Sequence, residues 1–311
     1  MAPDIRRFPV LLPASPWLAV AGFALWSSPA QAQALGCSVS ADAIVFGTIE
    51  TLGSGYQNSA GEVTVTCVDP AAAPIACLKV VGRPDMSSGS GQIPYLLADT
   101  DAGTGEYSGV YSSPVTLTDN GGTWSATFPI HAIVSRSLPD VPVGIYGGDA
   151  DIVVGVSDTG ATDCAGALTL EESGIVSLEG QVVEDCNIGV TDIDFGSVGL
   201  LDAPVTSIGT VSGRCTPGTS YTINLDDGLQ PVVAGGARRM KSERDDYLEY
   251  DLYKDDGHAE RWGSGSDGLA AEVLEGGSDG YSHTIHARLP PQPASAGQYS
   301  DTVIATIVYG E

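Results

Sequence analysis

Six cysteines, Cys37, Cys67, Cys77, Cys164, Cys186 and Cys215, are the residues of this chain whose type and spacing speak first. An even number of thiols in an exported chain reads as a disulfide framework, and no two of them form the CxxC pair that would point to zinc. The other chemistry-bearing residues are less organised. Of the four histidines, His131 and His286 occupy matching places in a repeat described below, which suits a shared packing role, and His258 and His283 lie in polar surroundings. There is no HExxH, no GxSxG elbow and no phosphate-binding loop. The pairs Asp226-Asp227, Asp245-Asp246 and Asp255-Asp256 lack the Asp-x-Asp-x-Asp-Gly spacing and closing Glu of a calcium loop, so they read as solvated acidic turns. Among 39 acids, any pair of carboxylates suited to glycoside hydrolysis is expected from abundance alone. The expectation is therefore no catalytic residue, no metal and no cofactor.

The elements that carry these residues follow from composition. With 40 Gly, 19 Pro and few Lys or Arg, the chain suits many short strands joined by turns, an all-β protein. At 311 residues it is long enough for two cores. A net charge of −26 with only 13 Lys and Arg argues against nucleic acid as a partner, because phosphate neutralisation needs clustered cations. Residues 1–32 read as a signal peptide: Arg6 and Arg7, then the apolar VLLPASPWLAVAGFALW, then the small-x-small site Ala30-Gln31-Ala32. A membrane anchor is disfavoured because Pro13 and Pro16 interrupt the apolar run.

The chain also repeats itself. CSVSADAIVFG begins at Cys37 and CNIGVTDIDFG at Cys186, each placing Phe-Gly nine residues after the Cys (46 − 37 = 195 − 186 = 9). The next cysteines follow 30 residues later at Cys67 and 29 later at Cys215, preceded by Gly61 and Gly209. Ile130-His131-Ala132 and Ile285-His286-Ala287 then lead through a Pro-containing connection to a Gly-x-Tyr and an apolar run. One module thus occurs twice, which pairs Cys37 with Cys67 and Cys186 with Cys215 and leaves Cys77 for Cys164. Strands at this spacing make an immunoglobulin-like β-sandwich.

The copies differ after their last shared strand. DIVVGV at 151–156 is followed by a stretch with strand candidates at Ala167–Leu170 and Gly174–Val183, whereas YSDTVIATIVYGE closes the second copy. In that run Val303, Ala305, Ile307 and Tyr309 fall on one face and Ile304, Thr306 and Val308 on the other, as in a central strand with apolar neighbours on both sides. The second sandwich is therefore expected to lack its final strand and to need one from elsewhere.

The run DFGSV, GRCTPGTSYTINLDDG, ARRM, YLEYDLYKD, RWG, TIHARLPPQP and AGQYSDTVIATIVY closely resembles the spore coat protein U domain, the pilin module of archaic chaperone-usher pili. The resemblance covers 184–311 and is weaker over the first copy. It implies an incomplete immunoglobulin-like fold completed first by a strand of a periplasmic chaperone and then by a donor strand of the adjacent pilin, with an outer-membrane usher as the assembly site. It places the acceptor edge at Gly297, Val303, Ala305, Ile307 and Tyr309. Only four residues, Gln33 to Gly36, precede Cys37 after the cleavage site, too few for a donor strand, so the expectation is a subunit at the pilus tip.

The resulting reading is a signal peptide at 1–32, an N-terminal adhesin domain at 33–183 and a C-terminal pilin domain at 184–311. Its function would be tip adhesion, surface attachment and biofilm formation, at the cell surface after passage through the periplasm. Contacts with a surface or host ligand are assigned to the loops carrying Tyr107, Val110 and Tyr111, and Leu138 and Val141. The alternatives are a secreted carbohydrate-binding module or a hydrolase.

Overall fold

The structure, a computed structural model, describes residues 35–82, 85–103, 106–107, 109–165, 168–233, 236–272 and 280–310, with 269–272 described by backbone alone. The signal peptide read in 1–32 lies outside them.

The first half contains β1 (Gly36–Ala41), β2 (Ile44–Thr48), β3 (Leu52–Val68), β4 (Ile75–Val81), β5 (Asp85–Ser87), β6 (Gln92–Ala98), β7 (Val115–Thr116), β8 (Thr118–Asp119), β9 (Thr123–Ser137), β10 (Gly144–Ser157) and β11 (Leu170–Val182). The second contains β12 (Cys186–Val190), β13 (Val205–Cys215), β14 (Ser220–Leu225), β15 (Arg238–Ser242), β16 (Tyr247–Tyr253), β17 (Leu269–Glu272), β18 (Tyr281–Leu289), β19 (Tyr299–Ser300) and β20 (Ala305–Tyr309). The fold is all-β, two immunoglobulin-like sandwiches in sequence.

Alternation builds each strand. In β3 the side chains of Val63, Val65 and Cys67 are buried while Thr64 and Thr66 stay half-exposed, and in β9 Ala126, Phe128, Ile130, Ala132 and Val134 form the buried face. Those two faces meet their neighbours through the order β1-β3-β9-β6-β5, and β5 carries the sheet across to β10, β11 and β2, with β4 on the other side of β10. In the second half the corresponding layer is β12-β13-β18-β16-β15-β19, and the opposite layer is only β17-β14-β20. Its core surrounds Trp262, fully buried, whose indole nitrogen donates to the Ile223 carbonyl at 2.9 Å.

The disulfides reinforce the repeat. Cys37 and Cys67 are opposite partners in the β1–β3 ladder, as are Cys186 and Cys215 in the β12–β13 ladder, and each pair is bonded. The third bond joins Cys77 on β4 to Cys164, so it fastens the connection that leads into β11.

That connection differs from the two short strands expected after residue 157. A single strand, β11, runs from Leu170 to Val182, and Ala167 lies outside the described residues. The cause is β10, which offers an unbroken antiparallel edge from Gly144↔Val182 to Val156↔Leu170, so both apolar stretches fall into one register. β11 also pairs in parallel with β2 through Leu178↔Ile44 and Glu179↔Val45.

Candidate functional site

The two Gly-x-Tyr motifs set the two halves on a common scale. Tyr146 donates its hydroxyl hydrogen to the Pro142 carbonyl at 2.8 Å, and Tyr299 does the same to Ser295 at 2.9 Å, each four residues back. Aligning these tyrosines (299 − 146 = 153) matches Ala150, Ile152, Val154 and Val156 of β10 with Val303, Ala305, Ile307 and Tyr309. All four in the first half are buried: Ile152, Val154 and Val156 lie between β4 on one side and β11 on the other, and Ala150 pairs with β11. Their counterparts are only partly buried, although they pack on the second core. β20 pairs with β14 through Ile307↔Ile223 and its neighbours, and among the described residues no strand lies on its other edge.

The opposite bank shows the same deficit. Phe46 aligns with Phe195 (195 − 46 = 149), which matches Ile44 and Ile49 with Ile193 and Val198. Ile49 is 2% exposed, whereas Val198 is 39% exposed, and Ile193 and Phe195 are half-buried where Ile44 and Phe46 are buried. The packing beneath is shared: a side chain at Gly61 would crowd Ile44 at 3.2 Å, and one at Gly209 would crowd Ile193 at 2.6 Å. Both glycines therefore leave room for the same isoleucine.

Backbone pairing fails at the corresponding places. β2 is a strand through its parallel contact with β11, and its counterpart around 191–200 forms none. Gly148, Asp149 and Ala150 pair only with β11, and their counterparts, residues 301–303, likewise form no strand. By alignment with the slot that β11 fills in the first half, Val303, Ala305, Ile307 and Tyr309 mark one bank of a groove and Ile193, Phe195 and Val198 the other. Its walls offer apolar side chains and unladdered backbone, which is what a β-strand from another segment can use.

Both ends of this groove are anchored. At one end Tyr309 donates to an Asp185 carboxylate oxygen at 3.2 Å. At the other, Asp301 accepts from the Leu229 amide at 2.9 Å and from the Tyr250 hydroxyl at 2.8 Å, and burial together with this bond drives the Tyr250 phenol far above its usual pKa. Below lies Arg238, whose guanidinium is fully buried. It donates to the carbonyls of Asp226, Leu225 and Trp262 and to the Asp251 carboxylate, which Arg261 also grips at 2.8 Å. Burial lowers the Arg238 pKa from its ordinary value, with Asp251 pulling the other way. His283, held down in pKa by burial, makes a 2.9 Å hydrogen bond with the Tyr221 hydroxyl, and Tyr221 stands opposite Tyr309 in the β14–β20 register.

The other positions singled out in the sequence fall elsewhere. Gly297 lies in the turn ahead of β19, outside β20. Tyr107 is 3% exposed rather than on a free loop: its amide donates to Leu97, its carbonyl accepts from Val80, and its hydroxyl donates to Pro129 at 3.0 Å. Val141 is likewise a core residue, drawn in by a turn in which its amide donates to the Leu138 carbonyl, and Leu138 itself is half-buried. Tyr111 is half-buried, hydrogen-bonded to Glu171 and overlaid by the Lys79 ammonium at 4.4 Å, so Val110, 72% exposed, is the one member of the set that stands clear. Among the described residues no group of three or more His, Cys, Asp or Glu side chains is placed to hold a metal ion. Ile193, Phe195 and Val198 carry no signal of their own for such a wall in the sequence, although the Phe-Gly repeat marks their place.

Comparison with known proteins bears on the fold. Among solved structures, the chaperone-tip adhesion subunit pre-assembly complex CsuC-CsuE from archaic chaperone-usher Csu pili of Acinetobacter baumannii is similar at 19% identity and a TM-score of 0.55. The likeness covers 88% of this chain and 99% of that one, and shows a shared fold across both halves. The CupB6 tip adhesin from Pseudomonas aeruginosa is similar at 12% identity and a TM-score of 0.36, covering 88% of this chain and 94% of that one. No curated protein matches the sequence. The family model for the Spore Coat Protein U domain matches residues 173–306.

Proposed function

We propose that this chain is the tip adhesin subunit of a chaperone-usher pilus. Its C-terminal module, 184–311, would accept a strand from a periplasmic chaperone and then from the adjacent pilin at an outer-membrane usher. Its N-terminal module, 33–183, would meet the surface or host ligand and support attachment and biofilm growth. Residues 1–32 would direct export through the periplasm. One observation carries the proposal: the side chains on β20 that should be interior are half-exposed, whereas their equivalents on β10 are sealed under β11. The shared fold with a tip adhesion subunit that was solved with its chaperone supports the same assignment. A hydrolase or free carbohydrate-binding module would leave the open edge without a role.

The test is thermal unfolding of the mature chain alone and with a strand-donating chaperone or alternately apolar peptide in excess. A ligand at one hundred times its Kd adds about 2.7 kcal/mol to the form that binds it, so the transition of the C-terminal module is expected to rise by several degrees. An unchanged transition with both donors would contradict the proposal.

A further inference from the structure

Resting on the acceptor reading above, we infer that the second groove selects a donor strand whose size pattern is the reverse of β11, so that it takes a strand of a different chain and rejects β11 of a second copy. The filled slot of the first half serves as the template. There β11 lies antiparallel to β10 with Ala150 directly opposite Val176 and Ile152 directly opposite Gly174, a small residue against a large one in each pair. Directly opposed residues on one face bring their Cβ atoms to about 5 Å, which leaves little room for two large side chains. Gly174 has no space to spare: a side chain there would meet Val39 Cγ1 at 3.0 Å and Ile152 Cδ1 at 3.3 Å.

On the second bank the sizes are exchanged. Val303 stands where Ala150 stands, and Ala305 where Ile152 stands. A strand laid on β20 as β11 lies on β10 must then present a small residue to Val303 and a large apolar one, two positions earlier, to Ala305. β11 does the opposite. Its Val176 would crowd Val303, and its Gly174 would leave a void over Ala305, beside Ile188, which takes the place of Val39 and is 36% exposed. Ala305 and Val303 are therefore the specificity-determining residues of the groove. The partner they fit is a strand reading large-x-small along its inward face.

The experiment uses the full mature chain and two labelled peptides. One has the sequence of residues 170–182, and the other is the same peptide carrying Gly174→Val and Val176→Ala. Because the exchanged peptide misfits the first-half slot, its binding reports the second groove. It is expected to bind about tenfold more tightly than the unmodified peptide, the scale of one misplaced core side chain. A chain carrying Val303→Ala and Ala305→Ile is expected to invert that order, and the wild-type comparison stands by itself if this variant does not fold. Equal affinities, or preference of the wild-type chain for the unmodified peptide, would overturn the inference while leaving the acceptor reading intact. Binding of neither peptide would overturn both.

Discussion

Leu178→Asp is expected to unfold the N-terminal module, whereas Ile307→Asp is expected to leave the free chain folded and remove its ability to accept a strand. Leu178 sits on β11, 3% exposed, with β10 on one side and Ile44 of β2 on the other. Truncating such a leucine to alanine costs about 2 to 5 kcal/mol, and a carboxylate with no partner in the same place costs more. The sum approaches the whole stability of an ordinary domain, about 5 to 15 kcal/mol. Ile307 holds a comparable place on β20 but is only partly buried, so a carboxylate there keeps access to water and costs the free chain about 1 to 2 kcal/mol. Once a strand covers it, that access is lost and the charge opposes docking. Denaturant unfolding of each variant, followed by near-ultraviolet circular dichroism and by donor-peptide binding, separates the two effects. Equal destabilisation by both substitutions would mean that β20 is already covered.

Arg238→Ala is expected to destabilise the C-terminal module by about 3 to 5 kcal/mol, the range for removing one partner of a buried ion pair. The guanidinium satisfies three carbonyls and the Asp251 carboxylate at once, and its loss leaves those acceptors buried and unmatched. Asp251 keeps Arg261, which moderates the cost. Arg238→Lys should recover little of it, since an ammonium cannot span the same planar fork of acceptors. Two of those acceptors, Leu225 and Asp226, border the place where β20 begins: the Asp226 amide donates to the Ile304 carbonyl, and the Ile304 amide donates to the Asp226 side chain. The variant should therefore lose peptide binding along with stability. Chemical denaturation monitored at Trp262 measures the first, and a change below about 1 kcal/mol would show that the network is dispensable.

Much of this arrangement is legible in the sequence because repetition does the work that composition cannot. The Cys-to-Phe-Gly and Gly-to-Cys spacings mark β1 through β3 and β12 through β13 as the same unit, and cysteines opposed on adjacent strands then have a single geometrically simple partner. The two-sided apolar pattern from Val303 to Tyr309 marks a strand that needs neighbours on both edges. Other features depend on tertiary contacts that no local pattern records. DAIVFG and TDIDFG hold matching places in the repeat, yet whether the segment around Ile193 and Phe195 becomes a strand depends on a partner like β11 lying beside it. Tyr107 and Val141 sit in Gly- and Pro-rich sequence that reads as exposed loop, and hydrogen bonds to β4 and β9 bury the first. Arg238 looks like a solvated cation in ARRM, because burial of an arginine is decided by carbonyls from Leu225, Asp226 and Trp262 that are distant in the chain.

Amide hydrogen exchange of the mature chain bears most directly on the claim that the second sandwich lacks a strand. Val303 and the outward amides of β20 are expected to exchange orders of magnitude faster than the matching amides of Ala150 to Val156 in β10, and to become protected when a donor strand is added. Protection of both stretches to the same degree in the free chain would show that the groove is already filled and would contradict the account.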